Sequence, residues 1–202
     1  KYSQPANVKV VGVWDTVGSI GLAGGEIPGI SRSTFNYLQT GLRTPLLNNY
    51  HALAIDEHRS DFAPTIWDVH RPKDPNAVLA QPRPISSVEQ RWFVGAHANV
   101  GGGYQTDLLA QAPLRWMMKK AEAHGLSFRS EIELDGDALS SEIADSYKEF
   151  FSGWYSKISS PVYRSIGREP EIRDDGTHTN VNETIDGSVF DRWRADPSYR
   201  PP

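Results

Sequence analysis

The sequence predicts an α/β fold, in which a parallel sheet is flanked by helices. Two segments, residues 7–14 and 88–95, are apolar enough to be buried strands. The first leads directly into Asp15, and the second leads into His97 and then three consecutive glycines. In open α/β sheets, ligands and catalytic groups lie at the carboxyl ends of the strands. Asp15 and His97 are therefore the candidate site residues.

Composition narrows the classes of function. The chain has 202 residues and a net charge of −4, so it can form one domain and has no basic surplus that would indicate nucleic-acid binding. It has no cysteine, which excludes disulfides and thiolate metal sites. No run approaches the roughly 18 apolar residues of a membrane span, and no signal peptide is visible. These features predict a cytoplasmic protein in the producing cell.

The role of Asp15 is open at this point, because an Asp after a strand can cap the next turn as well as act in catalysis. Residues 18–33 are rich in glycine and proline and are predicted to form a loop. Ser31 lies in this loop, in a sequence close to the Gly-x-Ser-x-Gly nucleophile elbow. An elbow needs a strand before it and a helix after it. We therefore do not predict that Ser31 is a nucleophile.

Residues 45–58 are predicted to form a helix, because apolar residues recur there near helical spacing. The segment and the residues after it offer a set of metal-ligand types: His51, Asp56, Glu57, His58 and Asp61. The two histidines are two helical turns apart, which is too far for the usual i, i+4 chelate. We expect solvated charges and one packed histidine here, and no metal.

The centre of the chain alternates between extended and irregular segments. Residues 62–69 are predicted to be extended, with Trp67 packed. Residues 71–86 carry four prolines and are predicted to form a rigid connection. The glycines after His97 predict that the imidazole lies on a loop, since glycine disfavours regular elements.

The second half is predicted to be mainly helical. Residues 107–124 fit a helix that kinks or restarts at Pro113 and stops at Gly125. The remaining predictions are an acidic turn at 131–137, a second helix at 140–156, an irregular segment at 161–180 with His178 exposed, and a short helix at 189–193.

Three motifs occur in order along the chain: Gly12-Val13-Trp14-Asp15-Thr16-Val17-Gly18, then Tyr50 to Glu57, then Trp92 to His97 with Asn99 to Tyr104. Together they resemble the uncharacterised α/β-hydrolase domain family that includes phospholipase effectors of the bacterial type VI secretion system. The closing segment, 187–202, also resembles the end of that domain.

The resemblance implies a Ser–Asp–His triad in that chain order. It maps the acid onto Asp15 and the base onto His97. The family's nucleophile elbow precedes the Gly-Val-Trp-Asp motif, and the residues before Asp15 contain no such turn. We therefore expect residues 1–202 to be the C-terminal part of a single α/β-hydrolase-like domain. On this interpretation the sheet is incomplete, because the N-terminal part that bears the nucleophile is absent.

A second departure from the family is Asn99, where the family often has Asp. Asparagine keeps the size and some hydrogen bonding of aspartate but removes its charge. If that position tunes His97 or holds a cation, this chain differs from its relatives there.

The resemblance implies hydrolysis of a carboxylic ester or (phospho)lipid by a serine esterase or phospholipase without cofactor or metal. The implied partners are a lipid or ester substrate, the missing N-terminal part, a membrane surface and a secretion machine. The alternative is a catalytically inactive hydrolase-fold remnant that acts as a binding module. A metal-dependent hydrolase using His97 with Asp15 or Asp107 has no support from ligand spacing.

Overall fold

The computed structural model describes residues 8–17, 48–77, 84–104, 107–138 and 140–201. Within these ranges there are seven strands: β1 (Val10–Trp14), β2 (Asn48–Ala54), β3 (Asp68–Pro72), β4 (Val88–Phe93), β5 (Glu171–Ile172), β6 (Gly176–Asn180) and β7 (Glu183–Ile185). The α-helices described are α1 (His97–Gly101), α2 (Gln111–Glu122), α3 (Ser146–Glu149), α4 (Tyr155–Ile158) and α5 (Gly187–Ala195). Short 3-10 turns occupy Ser60–Phe62, Ile85–Ser87 and Phe150–Gly153.

The main sheet has four strands in the order β1-β2-β4-β7, and every neighbouring pair is parallel. A second sheet of three antiparallel strands has the order β3-β6-β5. The predicted α/β class, with a parallel sheet and flanking helices, is confirmed. Because the carboxyl ends of parallel strands share one edge, the segments after β1, β2 and β4 are neighbours.

Side chains from the two faces of the main sheet form two apolar clusters. One contains Tyr50, Phe93, Val100, Trp116 and Met117, so α1 and α2 cover that face. The other contains Leu53, Trp92, Leu109, Val189 and Tyr199, so α5 and the C-terminal segment cover the opposite face. Burial on both faces explains why the sequences of these strands are mostly apolar throughout and do not alternate with polar residues.

The two predicted strands at 7–14 and 88–95 are confirmed as β1 and β4. The predicted helix at 107–124 is α2, which begins at Gln111, so Pro113 lies in its first turn, where proline is tolerated. It ends before Gly125, which has a φ of +95°. The short predicted helix at 189–193 is part of α5, and Trp67 is buried as expected.

The predicted helix at 45–58 is wrong, because residues 48–54 form the second strand of the main sheet. Alternate side chains of β2 enter the two apolar clusters, Tyr50 on one face and Leu53 on the other. A strand buried on both faces shows no polar alternation, so its apolar residues matched a helical template equally well.

Three further predictions are corrected. The helix at 140–156 is broken into α3, a 3-10 turn and the start of α4, with positive φ angles at Ser152 (55°) and Gly153 (82°). The irregular segment at 161–180 contains β5 and β6, and His178 is buried, with its Nδ1 2.7 Å from Asp68 Oδ2. His97 is the first residue of α1 and does not lie on a loop.

Candidate active site

Asp15 and His97 meet at the carboxyl edge of the main sheet. Asp15 follows β1, and His97 begins α1 just after β4. Their side chains join directly, with His97 Nδ1 2.7 Å from Asp15 Oδ2. An imidazole held at Nδ1 by a buried carboxylate has its other nitrogen, Nε2, on the opposite side of the ring. The structure thus brings together both residues that the sequence singled out.

The end of β2 fixes the conformation of Asp15. Its backbone lies in the left-handed region, with a φ of +40°, which Asp and Asn adopt more readily than most residues. The peptide N–H of Asp15 donates to the carbonyl of Ala52 (2.7 Å), and Asp15 Oδ1 accepts from the N–H of Ala54 (2.9 Å). Asp15 is 1% exposed, so its carboxylate depends on these protein partners and not on water.

Arg164 supplies the positive charge next to Asp15. Its guanidinium donates to both carboxylate oxygens, from NH1 to Oδ1 (2.6 Å) and from NH2 to Oδ2 (3.0 Å). Burial raises the pKa of Asp15, but the hydrogen bond from His97 and the charge and hydrogen bonds of Arg164 outweigh it and lower the pKa to about 2. Asp15 is therefore an anion across the physiological pH range.

The imidazole of His97 is partly accessible, with 31% of its side chain exposed. The ring of Phe62 packs edge-on against it, with ring centroids 5.2 Å apart. Among the residues that the structure describes, none forms a hydrogen bond to Nε2. A neutral imidazole arranged in this way can accept a proton at Nε2 while Asp15 stabilises the resulting cation.

Glu57 anchors the backbone of His97. Its Oε2 accepts the peptide N–H of His97 (3.2 Å) and the hydroxyl of Ser146 (2.9 Å). Arg59 donates to both of its oxygens at 2.8 Å, and the Arg59 guanidinium lies 3.5 Å from the centroid of the Phe62 ring. Burial raises the pKa of Glu57, but its bonds to Arg59 lower it below the usual value.

Asp56 holds the turn between β4 and α1. Its Oδ2 accepts the N–H of Gly95 (2.8 Å) and the hydroxyl of Tyr199 (3.1 Å). Burial raises the pKa of Asp56 and also that of the Tyr199 phenol. Gly95 has a φ of +119°, and a Cβ there would lie 2.5 Å from the Cβ of Asn99, so the turn requires glycine.

The ligand types noted in the sequence do not form a metal site. His51 lies within β2 and is fully buried, and its Nε2 accepts the N–H of Thr16 at 3.1 Å. Burial lowers the pKa of His51 to about 4, against the charge of Asp15, so its ring is neutral at pH 7. Across the described ranges, no cluster of three or more His, Cys, Asp or Glu residues could hold a metal ion.

Asn99 stabilises the start of α1 with its side-chain amide. Its Oδ1 accepts the N–H of Ala96 (3.0 Å) and of Ala144 (3.1 Å), and its Nδ2 donates to Asp107 Oδ2 (2.9 Å). It is 2% exposed. This position needs both an acceptor and a donor, and asparagine supplies both, whereas aspartate would face Asp107 with a like charge.

The substitution Asn99→Asp is expected to destabilise the protein by about 1–3 kcal/mol at pH 7, because it replaces a buried donor with a second carboxylate. Repulsion raises the folded-state pKa of the carboxylate pair. The folded state of the variant therefore gains relative stability as pH falls and loses it as pH rises through that pKa. Urea unfolding at pH 5 and pH 7 measures both effects.

The matched control for Asn99→Asp is the swapped double variant Asn99→Asp with Asp107→Asn, which restores one donor and one carboxylate. It should recover most of the lost free energy of unfolding. Equal stability of Asn99→Asp and wild type at pH 7 would show that Asp107 does not oppose a charge at position 99.

Glu57 and Arg164 are among the residues of the site that were not singled out from the sequence as parts of it. Glu57 was noted only as a candidate ligand on the wrongly predicted helix. Arg164 lies 149 residues from Asp15 in the sequence, inside the segment predicted to be irregular, and no local pattern marks it. Ser31 lies outside the described residues. Of the described serines, Ser146 contacts the site through Glu57.

Comparisons with known proteins give one result. The family model described as type VI secretion system (T6SS) phospholipase effector Tle1-like, catalytic domain, matches residues 1–120. No curated protein and no solved structure matches the chain. The match includes all three motifs, Asp15 and His97, whereas Arg164 and the closing segment 187–202 lie beyond it.

Within the part of the chain that the structure describes, no helix is long and apolar enough to cross a membrane. The family match covers more than half of the 202 residues, and the predicted family is thereby confirmed. The chain belongs to the family of Tle1-like phospholipase effector catalytic domains of the type VI secretion system.

Proposed function

We propose that this chain supplies the acid and the base of a serine hydrolase that cleaves carboxylic ester bonds in phospholipids. The observation that carries the proposal is the 2.7 Å contact between a buried Asp15 carboxylate and Nδ1 of a partly exposed His97. In this arrangement Nε2 lies on the side of the ring opposite Asp15, and a serine hydroxyl approaching there could give it a proton. Family membership supports the choice of a lipid substrate.

In the first half of the reaction, His97 Nε2 takes the proton of the serine hydroxyl as its oxygen attacks the ester carbonyl. The carbonyl electrons move onto its oxygen to form a tetrahedral oxyanion. Asp15 holds the ring with its proton on Nδ1 and stabilises the imidazolium. The oxyanion then collapses, the ester C–O bond breaks, and His97 gives its proton to the leaving alcohol.

In the second half, water replaces the alcohol. His97 Nε2 takes a proton from water as the oxygen attacks the acyl-serine. Collapse of the second tetrahedral intermediate breaks the acyl–serine bond, and His97 returns the proton to the serine oxygen. The products are a fatty acid and the alcohol part of the lipid, and the serine, His97 and Asp15 are regenerated.

No serine hydroxyl among the described residues forms a hydrogen bond to His97 Nε2, so the nucleophile remains to be assigned. We propose that it lies outside this chain, in an N-terminal part of the same α/β-hydrolase-like domain that also supplies the oxyanion hole. Residues 1–202 are then the C-terminal part of that domain. The open side of β1, which pairs only with β2 among the described strands, is where such a part would continue the sheet.

Exposed apolar side chains close to the site support contact with a lipid surface. Trp154 and Ile158 are four residues apart at α4 and are both more than half exposed. The preceding 3-10 turn contains Phe150, whose ring packs edge-on against Phe62, the neighbour of His97.

We propose that the protein is made in the cytoplasm and delivered by a secretion machine to the membrane whose lipids it hydrolyses.

A fluorophosphonate probe tests the proposal, because it labels only activated serines. We expect the probe mass on a species longer than this chain or on a second polypeptide that copurifies with it. The label should be lost when His97 is replaced by glutamine. A single unlabelled species of 22.5 kDa would favour an inactive remnant that binds a partner, and a label on Ser31 would place the nucleophile within this chain.

A further inference from the structure

Arg164 has more contacts at the site than the proposed reaction requires. In addition to its two bonds to Asp15, its guanidinium donates to the carbonyl of Ala54 (2.6 Å) and to the carbonyl of Phe62 (2.6 Å). Its side chain is 5% exposed. Removing a guanidinium from water is costly, so a buried arginine needs acceptors such as these four.

The four contacts connect Arg164 to three segments that lie around the Asp15–His97 pair. Asp15 follows β1, and Ala54 is the last residue of β2. Phe62 is the last residue of a 3-10 turn, and its ring packs against His97. A planar fork with fixed donor directions can hold these groups in one arrangement, which a lysine ammonium cannot do. Asp15 also has a left-handed backbone, which needs such external support.

We propose that Arg164 is a positioning residue for the Asp15–His97 pair: its guanidinium fork fixes the orientation of the Asp15 carboxylate towards His97 Nδ1, and its charge balances that carboxylate. The proposal rests on the function proposed above and extends it to a residue beyond the family match. Arg164 acts on the reaction only through Asp15 and Phe62.

The charge argument follows from what faces each group. Beside Asp15 lie the Arg164 cation, the neutral ring of His51 and the imidazole of His97. Beside His97 lies Glu57, whose charge is balanced by Arg59. Arg164 is therefore the cation in direct contact with Asp15. Its charge balances the buried Asp15 carboxylate, so without Arg164 the full negative charge of Asp15 would act on the imidazole of His97.

Two substitutions separate the charge of Arg164 from its geometry. Arg164→Gln removes both, and Arg164→Lys keeps the charge but loses the fork. The matched control is Arg194→Gln, since Arg194 is 73% exposed and pairs with Asp191 on α5, away from the pair. The readout is NMR titration of the His97 imidazole in the full chain, assigned with a His97→Gln variant, alongside kcat/KM against pH where activity is present.

In Arg164→Gln, the titration midpoint of His97 should move to higher pH by about one unit, and the acidic limb of kcat/KM should move with it. In Arg164→Lys, the midpoint should stay near that of wild type, while the downfield Nδ1 proton signal weakens and kcat falls. Arg194→Gln should match wild type in every measurement. A purely structural role for Arg164 would change stability without moving the midpoint.

An unchanged or lower midpoint in folded Arg164→Gln would overturn the proposal. If that variant does not fold, Arg164→Lys decides: a weakened Nδ1 proton signal supports the positioning role, and a wild-type signal overturns it. The NMR measurement needs no substrate. Absence of hydrolysis in the wild-type polypeptide that carries the nucleophile would reject the proposed function, whereas the titration would still report on Arg164.

Discussion

Replacing His97 with glutamine is expected to lower kcat for phospholipid hydrolysis by roughly 10⁵- to 10⁶-fold in the polypeptide that carries the nucleophile. Glutamine cannot accept and return a proton, so the serine loses its base and the leaving alcohol loses its acid. The effect should fall on kcat much more than on KM, because the ring acts on the reacting atoms. Release of fatty acid from phosphatidylglycerol vesicles measures it.

The control for His97→Gln is His124→Gln. His124 bonds to the Tyr50 hydroxyl near the end of α2 and contacts neither Asp15 nor His97, so its replacement should leave kcat within a few-fold of wild type. Circular dichroism should show both variants folded, since His97 is partly exposed. Wild-type turnover in His97→Gln would remove His97 from the mechanism.

Replacing Asp15 with asparagine is expected to lower kcat by roughly 10⁴-fold, because a neutral amide no longer selects the Nδ1–H tautomer or stabilises the imidazolium. The variant should also lose about 3–5 kcal/mol of unfolding free energy, since the buried Arg164 loses its counter-ion. Asparagine tolerates the left-handed backbone, so the loss comes from charge and not from strain. Hydrolysis of phospholipid vesicles measures the change in kcat, and urea unfolding measures the change in unfolding free energy.

The pH dependence of stability provides a control on the Asp15→Asn result. The pKa of Asp15 falls from an ordinary 3.8 to about 2 in the folded protein. Because the folded-state pKa is lowered, ionised Asp15 stabilises the folded protein above pH 3.8 by about 2 kcal/mol. This stabilisation is lost as pH falls towards 2. The difference in unfolding free energy between wild type and Asp15→Asn should therefore become smaller below pH 4. A gap independent of pH would contradict the ionic role of Asp15.

The sequence alone was sufficient to predict the positions of Asp15 and His97, because each residue follows a strand with a clear pattern. The valines before Asp15 and the apolar run before His97 could be assigned without knowledge of the tertiary fold. Parallel strands then place their carboxyl ends together. The catalytic roles of both residues stay predictions until the variants are measured.

β2 could not be identified in the same way. It contains Leu53, Ala52 and Ala54, which have high helix propensity, and it has no β-branched residue. Only its position between β1 and β4, which buries both faces, makes it a strand. Tertiary context overrode local propensity at that segment.

Contacts between residues that are far apart in the sequence could not be predicted either. Nothing near Arg164 indicates that it pairs with a carboxylate 149 residues away. His178 lies in a polar segment and looked exposed, yet β6 places it beside Asp68 on β3. A buried ion pair leaves no periodic signal, because each partner is a single polar residue among others.

The ion pair between Asp15 and Arg164 also constrains when the site can form during synthesis. Translation runs from the amino terminus, so Arg164 is added 149 residues after Asp15 and well after His97. Until then, the segments that carry Asp15 and His97 lack the cation that positions the Asp15 carboxylate. A nascent chain of this family member therefore completes the surroundings of Asp15 and His97 only after the segment that carries Arg164 has been added.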